Sequence, residues 1–376
     1  MATRVVRTLV LIVLIAAAAG LVAVPAGAAD VKSLAKELFA VPSTTGNEGP
    51  MAAKIRAALP KGLAVEEDGL GTIAVRLGGA EGPTLVVAAI DEYGYVVSGI
   101  TPDGYLTVDR PVPGPHIHFD AYLLGQPVVI STAKGPVAGV VSQPALHLLT
   151  PERRKTLVDG FSLETTFIDI AVRSEKEARA KGIELLDAVT HPAVLTELAG
   201  DQWAGPALGL KAAAAALVDA TVEASGATPA GAAVVAWAAQ TKFVTRGRGA
   251  RPALGAARAR SKWQPKRALV VDLVAAGKGD GFPFPGGGPV LIQAKDEETS
   301  LRQALVKLAA EAKITLQVLT APESTLALPF SAAPSEVLTV ALPVRFLNTP
   351  AEVVDLKDLQ ALRDLLAAFL QKGAGQ

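Results

Sequence analysis

Thr84-Leu-Val-Val-Ala-Ala-Ile90, running straight into Asp91-Glu-Tyr-Gly94, is the stretch on which the reading of the fold turns. Seven uncharged, mostly β-branched or aliphatic residues between Gly82-Pro83 and Asp91 are the mark of a strand buried on both faces. Strands of that kind belong to largely parallel sheets covered by helices. Working towards the amino terminus, Ala64–Glu67 and Thr72–Arg76 read as short strands. Before them, Val31, Leu34 and Leu38 share one helical face, and Met51, Ile55 and Leu59 another.

Towards the carboxyl terminus the pattern changes. From Tyr95 to about His191 it is alternating β structure, as in Tyr105–Val108, Pro127–Ile130 and Val137–Val141. Ser174-Glu-Lys-Glu177 interrupts it with a capping box, which predicts a short helix. After Leu195, helices at Ala207–Val222, Ala250–Arg260, Ser300–Ala312 and Leu356–Leu370 alternate with strands. Those strands are Gly231–Ala239, Ala268–Val274, Gly288–Ile292, Ile314–Leu319 and Glu336–Leu342. The expectation is an α/β/α sandwich core (30–94 and 193–376) with a mixed, mostly parallel sheet, and an inserted β-rich, barrel-like domain at 95–192.

Composition narrows the function classes. At 376 residues there is room for about two domains of ~150 residues each. Half the residues are hydrophobic and 19% charged, which excludes an intrinsically disordered chain. Lys plus Arg equals Asp plus Glu at 36 each, so no global field recruits nucleic acid. The absence of cysteine excludes disulfides and thiolate metal sites, and four histidines limit imidazole chemistry. Arg4 and Arg7, the uncharged Thr8–Val24 and the small residues Ala26-Gly-Ala28 predict a signal peptide over 1–29 and export to the periplasm or exterior. The alternative is an anchor formed by the uncleaved helix.

Several segments, in order, resemble the dinuclear-metal family of tetrahedral, glutamyl and deblocking aminopeptidases (metallopeptidase family forty-two), whose relatives are sometimes labelled endoglucanases. Val41-Pro-Ser-Thr-Thr-Gly-Asn-Glu48 resembles its "P-S-x-S-G-N-E", and Asp68-Gly-Leu-Gly71 its "D-x-L-G-N". Ala89-Ile-Asp-Glu-Tyr-Gly94 resembles "H-M-D-E-x-G", Pro144-Ala-Leu-His-Leu148 "P-x-H-L", and Ile168-Asp-Ile-Ala-Val-Arg-Ser174 "I-D-I-G-A-x-S". Arg248-Gly-Ala250, Val271-Asp272 and Pro343-Val-Arg-Phe346 complete the series. The resemblance implies a zinc-exopeptidase fold and an inserted domain involved in assembly.

It also implies a two-metal site, with ions about 3.5–4 Å apart that activate a water. Carried over position by position, that site is stripped. The first histidine falls on Ala89, the bridging aspartate on Gly209, the general base on Thr241, the adjacent glutamate ligand on Lys242 and the last histidine on Asn348. Only Asp272 keeps a ligand type, while Asp91 and Glu92 are retained beside the site. In the family that aspartate orients the residue at position 89, here a methyl group. The expectation is therefore a secreted, non-catalytic pseudopeptidase with no cofactor, binding a peptide or protein partner. The alternative is an active metal-dependent aminopeptidase with a reduced or relocated site, taking zinc or cobalt. Lys242 and Asp272 are the expected pair in the former metal volume, the ammonium compensating that carboxylate and Asp91.

Three further features are weighed. His116-Ile-His118, placed on a strand, puts two imidazoles on one face, a weak metal pair. Lys242, Arg246, Arg248, Arg251, Arg258, Arg260, Lys262, Lys266 and Arg267 make a basic run without an acidic residue, a candidate contact for anionic polymers. Its sparse aromatics exclude a stacking nucleic-acid site. The glycine-rich Gly279–Pro289 lacks the G-K-[ST] of a phosphate cradle and reads as a loop rimming the cleft. Homo-oligomers formed through the inserted domain are a further expectation.

Overall fold

A computed structural model describes residues 30–79, 84–143, 145–152, 154–155, 161–227, 231–243, 253–279, 281–293, 298–331 and 336–374. The expected signal peptide or anchor at 1–29 lies outside the described residues. Among those described, no helix is long and apolar enough to cross a membrane.

Helices α1 (Val31–Phe39) and α2 (Gly49–Ala58) precede strands β1 (Val65–Glu67), β2 (Ile73–Leu77) and β3 (Thr84–Ala89). Then come β4 (Tyr95–Ile100), β5 (Leu106–Asp109), β6 (Pro127–Thr132), β7 (Gly135–Ser142), β8 (Phe167–Asp169), α3 (Glu175–Ala180) and β9 (Ala188–Thr190). The chain continues through β10 (Thr196–Leu198), β11 (Gln202–Gly205), α4 (Leu208–Ser225), β12 (Ala233–Ala238), α5 (Leu254–Trp263) and β13 (Arg267–Ala275). It ends with β14 (Val290–Gln293), α6 (Ser300–Glu311), β15 (Gln317–Thr320), β16 (Glu336–Arg345), β17 (Glu352–Asp355) and α7 (Leu356–Ala368).

The main sheet has the order β1-β2-β12-β3-β13-β16-β17-β11-β10, with β14 and β15 branching from β16. Its centre is parallel: β3 lies between β12 (Val86 opposite Val235) and β13 (Val86 opposite Leu269), and β13 pairs with β16 in the same direction. Its flanks are antiparallel. Alternate residues of the central strands feed two cores. Val86, Val235, Trp237, Leu269 and Val271 pack under α1, α4 and α7, whereas Leu85, Val87, Ala236 and Val270 pack under α5 with Trp263 and Phe330. That two-sided burial is why Thr84–Ala89 reads as a continuous apolar run.

α4 is alanine-rich and buried along most of its length, which brings its backbone close to the sheet; the Trp237 indole N–H donates to the Ala214 carbonyl at 3.4 Å. Gly255, at the start of α5, is needed for the same kind of approach, since a Cβ there would lie 1.8 Å from the Ala239 carbonyl oxygen. At the other end of the sheet, the Thr84 hydroxyl and the Arg267 guanidinium both donate to the Ala374 carbonyl, at 2.9 and 2.7 Å.

Strands β4-β5-β8-β7-β6-β9 close into a barrel with its own core of Tyr95, Val97, Leu106, Ile130, Ile168 and Val189. Its helix α3 is capped as expected at Ser174, whose hydroxyl accepts from the Glu177 N–H at 3.2 Å. Glu177 reaches back one residue further than a capping box requires, accepting from the Arg173 N–H at 2.9 Å. Three short strands were not foreseen: β10, β11 and β17 are three or four residues long, too short to show a period.

Candidate active site

A cleft opens between the barrel and the carboxyl ends of β3 and β12. Asp91, Glu92, Tyr93, Tyr95, Phe119, His191, Leu210, Lys242, Asn348 and Glu352 contribute to its lining. Its volume is about 640 Å³ with the open mouth included.

Asp91 leaves β3 fully buried and accepts four hydrogen bonds. Its Oδ1 takes the Thr241 N–H at 2.9 Å and hydroxyl at 2.5 Å; its Oδ2 takes the Lys242 N–H and the Thr45 hydroxyl, each at 2.9 Å. The preceding amide, of Gln240, donates to Glu48 Oε1 at 2.9 Å. Three successive amides of one turn thus end on carboxylate oxygens, which holds Gln240 in the left-handed region at φ 53°. Burial, and then the charge of Asp91, push the Glu48 carboxyl above its usual range. Asp91 therefore serves the 240–242 turn, not the methyl group at position 89, and that turn delivers Lys242 into the cleft.

Glu92 is committed elsewhere. Its Oε1 accepts from the Ser43 N–H at 2.8 Å and pairs with the Lys211 ammonium at 3.0 Å. Lys211, buried on α4, also donates to the Val41 carbonyl at 2.8 Å. This buried pair is hydrogen-bonded on both sides, as it must be to offset desolvation.

Glu352, the first residue of β17, is 3% exposed. Its Oε2 accepts from the Gly209 N–H at the start of α4 and its Oε1 from the Asn348 N–H, both at 2.9 Å. Burial drives its pKa up to about 7; the two amides, and more weakly Lys242, work against that, and Glu92 adds to it. Gly209 is glycine for a local reason: a Cβ there would lie 2.7 Å from Val344 Cγ2 and 3.3 Å from Glu352 Oε2.

Lys242 is held above the ordinary lysine value. Burial works to lower it, and the charges of Asp91, Tyr93, Asp272 and Glu352 outweigh that effect. Its Nζ sits 5.5 Å from the centre of the Tyr93 ring, a cation–π distance. No carboxylate oxygen among the described residues lies within 4.0 Å of that ammonium. Lys242 and the expected partner Asp272 feel one another's charge without forming an ion-pair contact, and Asp272 Oδ1 accepts the Leu273 N–H at 2.8 Å.

The resemblance implies two metal ions here, and the donor set does not fit them. Ala89 and Gly209 offer no lone pair, Asn348 turns its backbone amide to Glu352, and Asp91 is saturated by four donors. Lys242 brings a positive charge into the volume two cations need. Among the described residues, no group of three or more His, Asp or Glu could hold a metal.

Elsewhere the structure changes two expectations, for the histidine pair and the glycine-rich loop, and describes only part of the basic run. His116 and His118 lie in a turn before the short 3-10 helix Asp120–Leu123, not on a strand, and the His116 ring packs edge-on against Phe119 and Tyr122. In the basic run, residues 244–252 lie outside the described residues; Lys262 pairs with Glu66 at 3.1 Å and Arg267 caps Ala374. The glycine-rich loop is fastened away from the cleft: the Gly286 and Gly288 N–H groups both donate at 2.7 Å to Asp358 on α7. Sequence reasoning missed Glu352, Glu48 and Lys211. The signal for Glu352 was a lone carboxylate opening the apolar Glu352-Val-Val, four residues after Asn348.

The fold around this cleft is that of the zinc exopeptidases. The model of the M42 glutamyl aminopeptidase family matches residues 71–365, and the chain belongs to that family. It is 26% identical over 318 residues to a lysyl aminopeptidase of Pyrococcus furiosus, covering 82% of this chain and 87% of that one. Among solved structures, the TET1 peptidase of Pyrococcus horikoshii superposes with a TM-score of 0.77 at 24% identity, over 90% of this chain and 99% of that one. A TET aminopeptidase from the archaeon Thaumarchaeota archaeon SCGC AB-539-E09 gives 0.76, also at 24% identity, over 91% and 96%. These relatives carry the names of peptidases, and the family match covers both flanks of the cleft. They overturn the expectation of a non-catalytic pseudopeptidase and favour the alternative, an active metal-dependent aminopeptidase or hydrolase with a reduced or relocated site.

Proposed function

We propose that this chain hydrolyses the amino-terminal peptide bond of short peptides in the cleft between barrel and sheet, with a relocated site built on Glu352 and Lys242. The supporting observation is Glu352 itself. It is a buried carboxylate, aimed by two backbone amides, with a pKa of about 7, the value at which a general base is both ionised and basic enough to work. The carboxylate takes a proton from water, and the resulting hydroxide adds to the scissile carbonyl carbon. The Lys242 ammonium faces the negative charge that develops on the carbonyl oxygen, the role of a preorganised electrostatic group. As the C–N bond breaks, Glu352 returns the proton to the leaving amine. No step passes through a metal.

Relatives that assemble, such as the P. horikoshii TET1 peptidase with its tetrahedron or octahedral shell, support a homo-oligomer here as well. The test is turnover of a panel of aminoacyl chromogenic substrates in chelator. The reading expects activity that rises through about pH 7, and a loss of about 10²–10⁴-fold in Glu352→Gln. No turnover, with or without added zinc or cobalt, overturns it. So does turnover that appears only on adding metal.

A further inference from the structure

The geometry points to a binding site for free α-amino acids in this cleft, with the Lys242 ammonium taking the α-carboxylate, Glu352 taking the α-ammonium, and the aromatic wall covering the side chain. The inference deepens the hydrolase reading, since a free amino acid is what such a reaction releases, yet it rests on the cleft's own charges. Around the cleft the other carboxylates already have strong partners. Asp91 is filled by Thr241, Lys242 and Thr45 donors and Glu92 by Lys211 and Ser43, while Asp272 is not among the residues that line the cleft. Lys242 is held charged but has no carboxylate within ion-pair distance among the described residues. Glu352 has only neutral amide donors as contacts, leaving lone pairs free on both oxygens.

The cleft therefore presents one cation and one carboxylate in its lining, neither of them in a direct ion pair among the described residues. A zwitterion with its two charges a few bonds apart is the small molecule that answers both at once. An isolated anion would satisfy Lys242 and leave Glu352 facing nothing; an isolated amine would do the reverse and meet repulsion from Lys242. In the same lining, Tyr95 and Phe119 stack with centroids 5.7 Å apart and Tyr93 meets Phe119 edge-on at 5.8 Å. Such a wall favours an apolar or aromatic side chain.

The experiment is titration calorimetry of the full chain at pH 7, where the amide keeps most of its ammonium charge, with L-phenylalanine, L-phenylalanine amide and N-acetyl-L-phenylalanine. The expected result is that the amino acid binds and that masking either charge weakens binding at least tenfold, the worth of one charge-assisted hydrogen bond. Lys242→Met should erase the preference for phenylalanine over its amide and keep the preference over the N-acetyl form; Glu352→Gln should do the opposite. An amide that binds as tightly as the acid overturns the assignment to Lys242, and an N-acetyl form that binds as tightly overturns that to Glu352. Because the three ligands are compared on the unmutated chain, a variant that fails to fold leaves the test intact. Binding without turnover would retire the hydrolase reading alone; turnover without binding of the amino acid would retire only this one.

Discussion

At the residue scale, Glu352 makes a prediction about stability as well as chemistry. Its folded pKa, about 7, lies above the ordinary 4.5, so between those values the folded state holds a proton that the unfolded state has released. Its contribution is therefore complete below about pH 4.5 and is lost as pH rises through 7. At ~1.4 kcal/mol per unit, the loss is roughly 3 kcal/mol. Asp358, raised by burial from 3.8 to about 6, acts in the same direction over a lower window. Thermal unfolding followed from pH 5 to pH 8 should show declining stability in the unmutated chain and a shallower decline in Glu352→Gln. An unchanged slope in the variant would mean that Glu352 does not titrate near neutrality. Asp91 gives a second prediction. Asp91→Asn replaces one acceptor oxygen with an NH₂ group facing amides that also donate, so the 240–242 turn loosens at a cost of about 1–3 kcal/mol. Hydrogen exchange at Thr241 and Lys242 should accelerate ahead of global unfolding, and equal protection in both proteins would count against the anchoring described.

At the element scale, the close approach of α4 to the sheet is the feature most sensitive to substitution. Gly209→Ala forces a methyl group against Val344 Cγ2 and the Glu352 carboxylate, and should cost about 1–3 kcal/mol. A lower urea midpoint with an unchanged slope would report it, and an unaltered midpoint would show that the helix start can shift freely. The elements themselves were legible in the sequence to the extent that they carry a period. Thr84–Ile90 is apolar throughout because helices cover both of its faces, and the barrel announced itself by alternation between Tyr95 and Thr190. What stayed hidden depends on contacts distant in sequence. Asp91 was visible as a retained acid, but its true partners lie 150 residues away on a turn whose φ sign no pattern predicts. The burial of Glu352, and hence its shifted pKa, follows from α4 and the loop at Asn348 closing over it. His116 and His118 misled because H-x-H alternation means a shared face only on a strand, and Pro113 and Pro115 just before them belong to a turn instead.

At the scale of the whole molecule, the barrel and the core both leave large apolar residues in solvent: in the barrel region Ile117 is 90% exposed, Leu148 77% and Val140 51%, and in the core Phe346 is 61% exposed and Phe284 59%. Charge does little to keep copies apart, since the basic and acidic residues balance at 36 each. Exposed side chains of this size, on a domain that contributes only one wall of the cleft, fit a surface that copies of the chain cover in one another. Light scattering coupled to gel filtration at micromolar concentration should accordingly give a multiple of 38.5 kDa. Ile117→Glu with Leu148→Glu should lower that multiple while leaving the cleft residues and the core untouched, so amino-acid binding should survive dissociation. A single chain's mass across the whole concentration range would show that the barrel's apolar surface is simply tolerated, and that the cleft must then be complete within one chain.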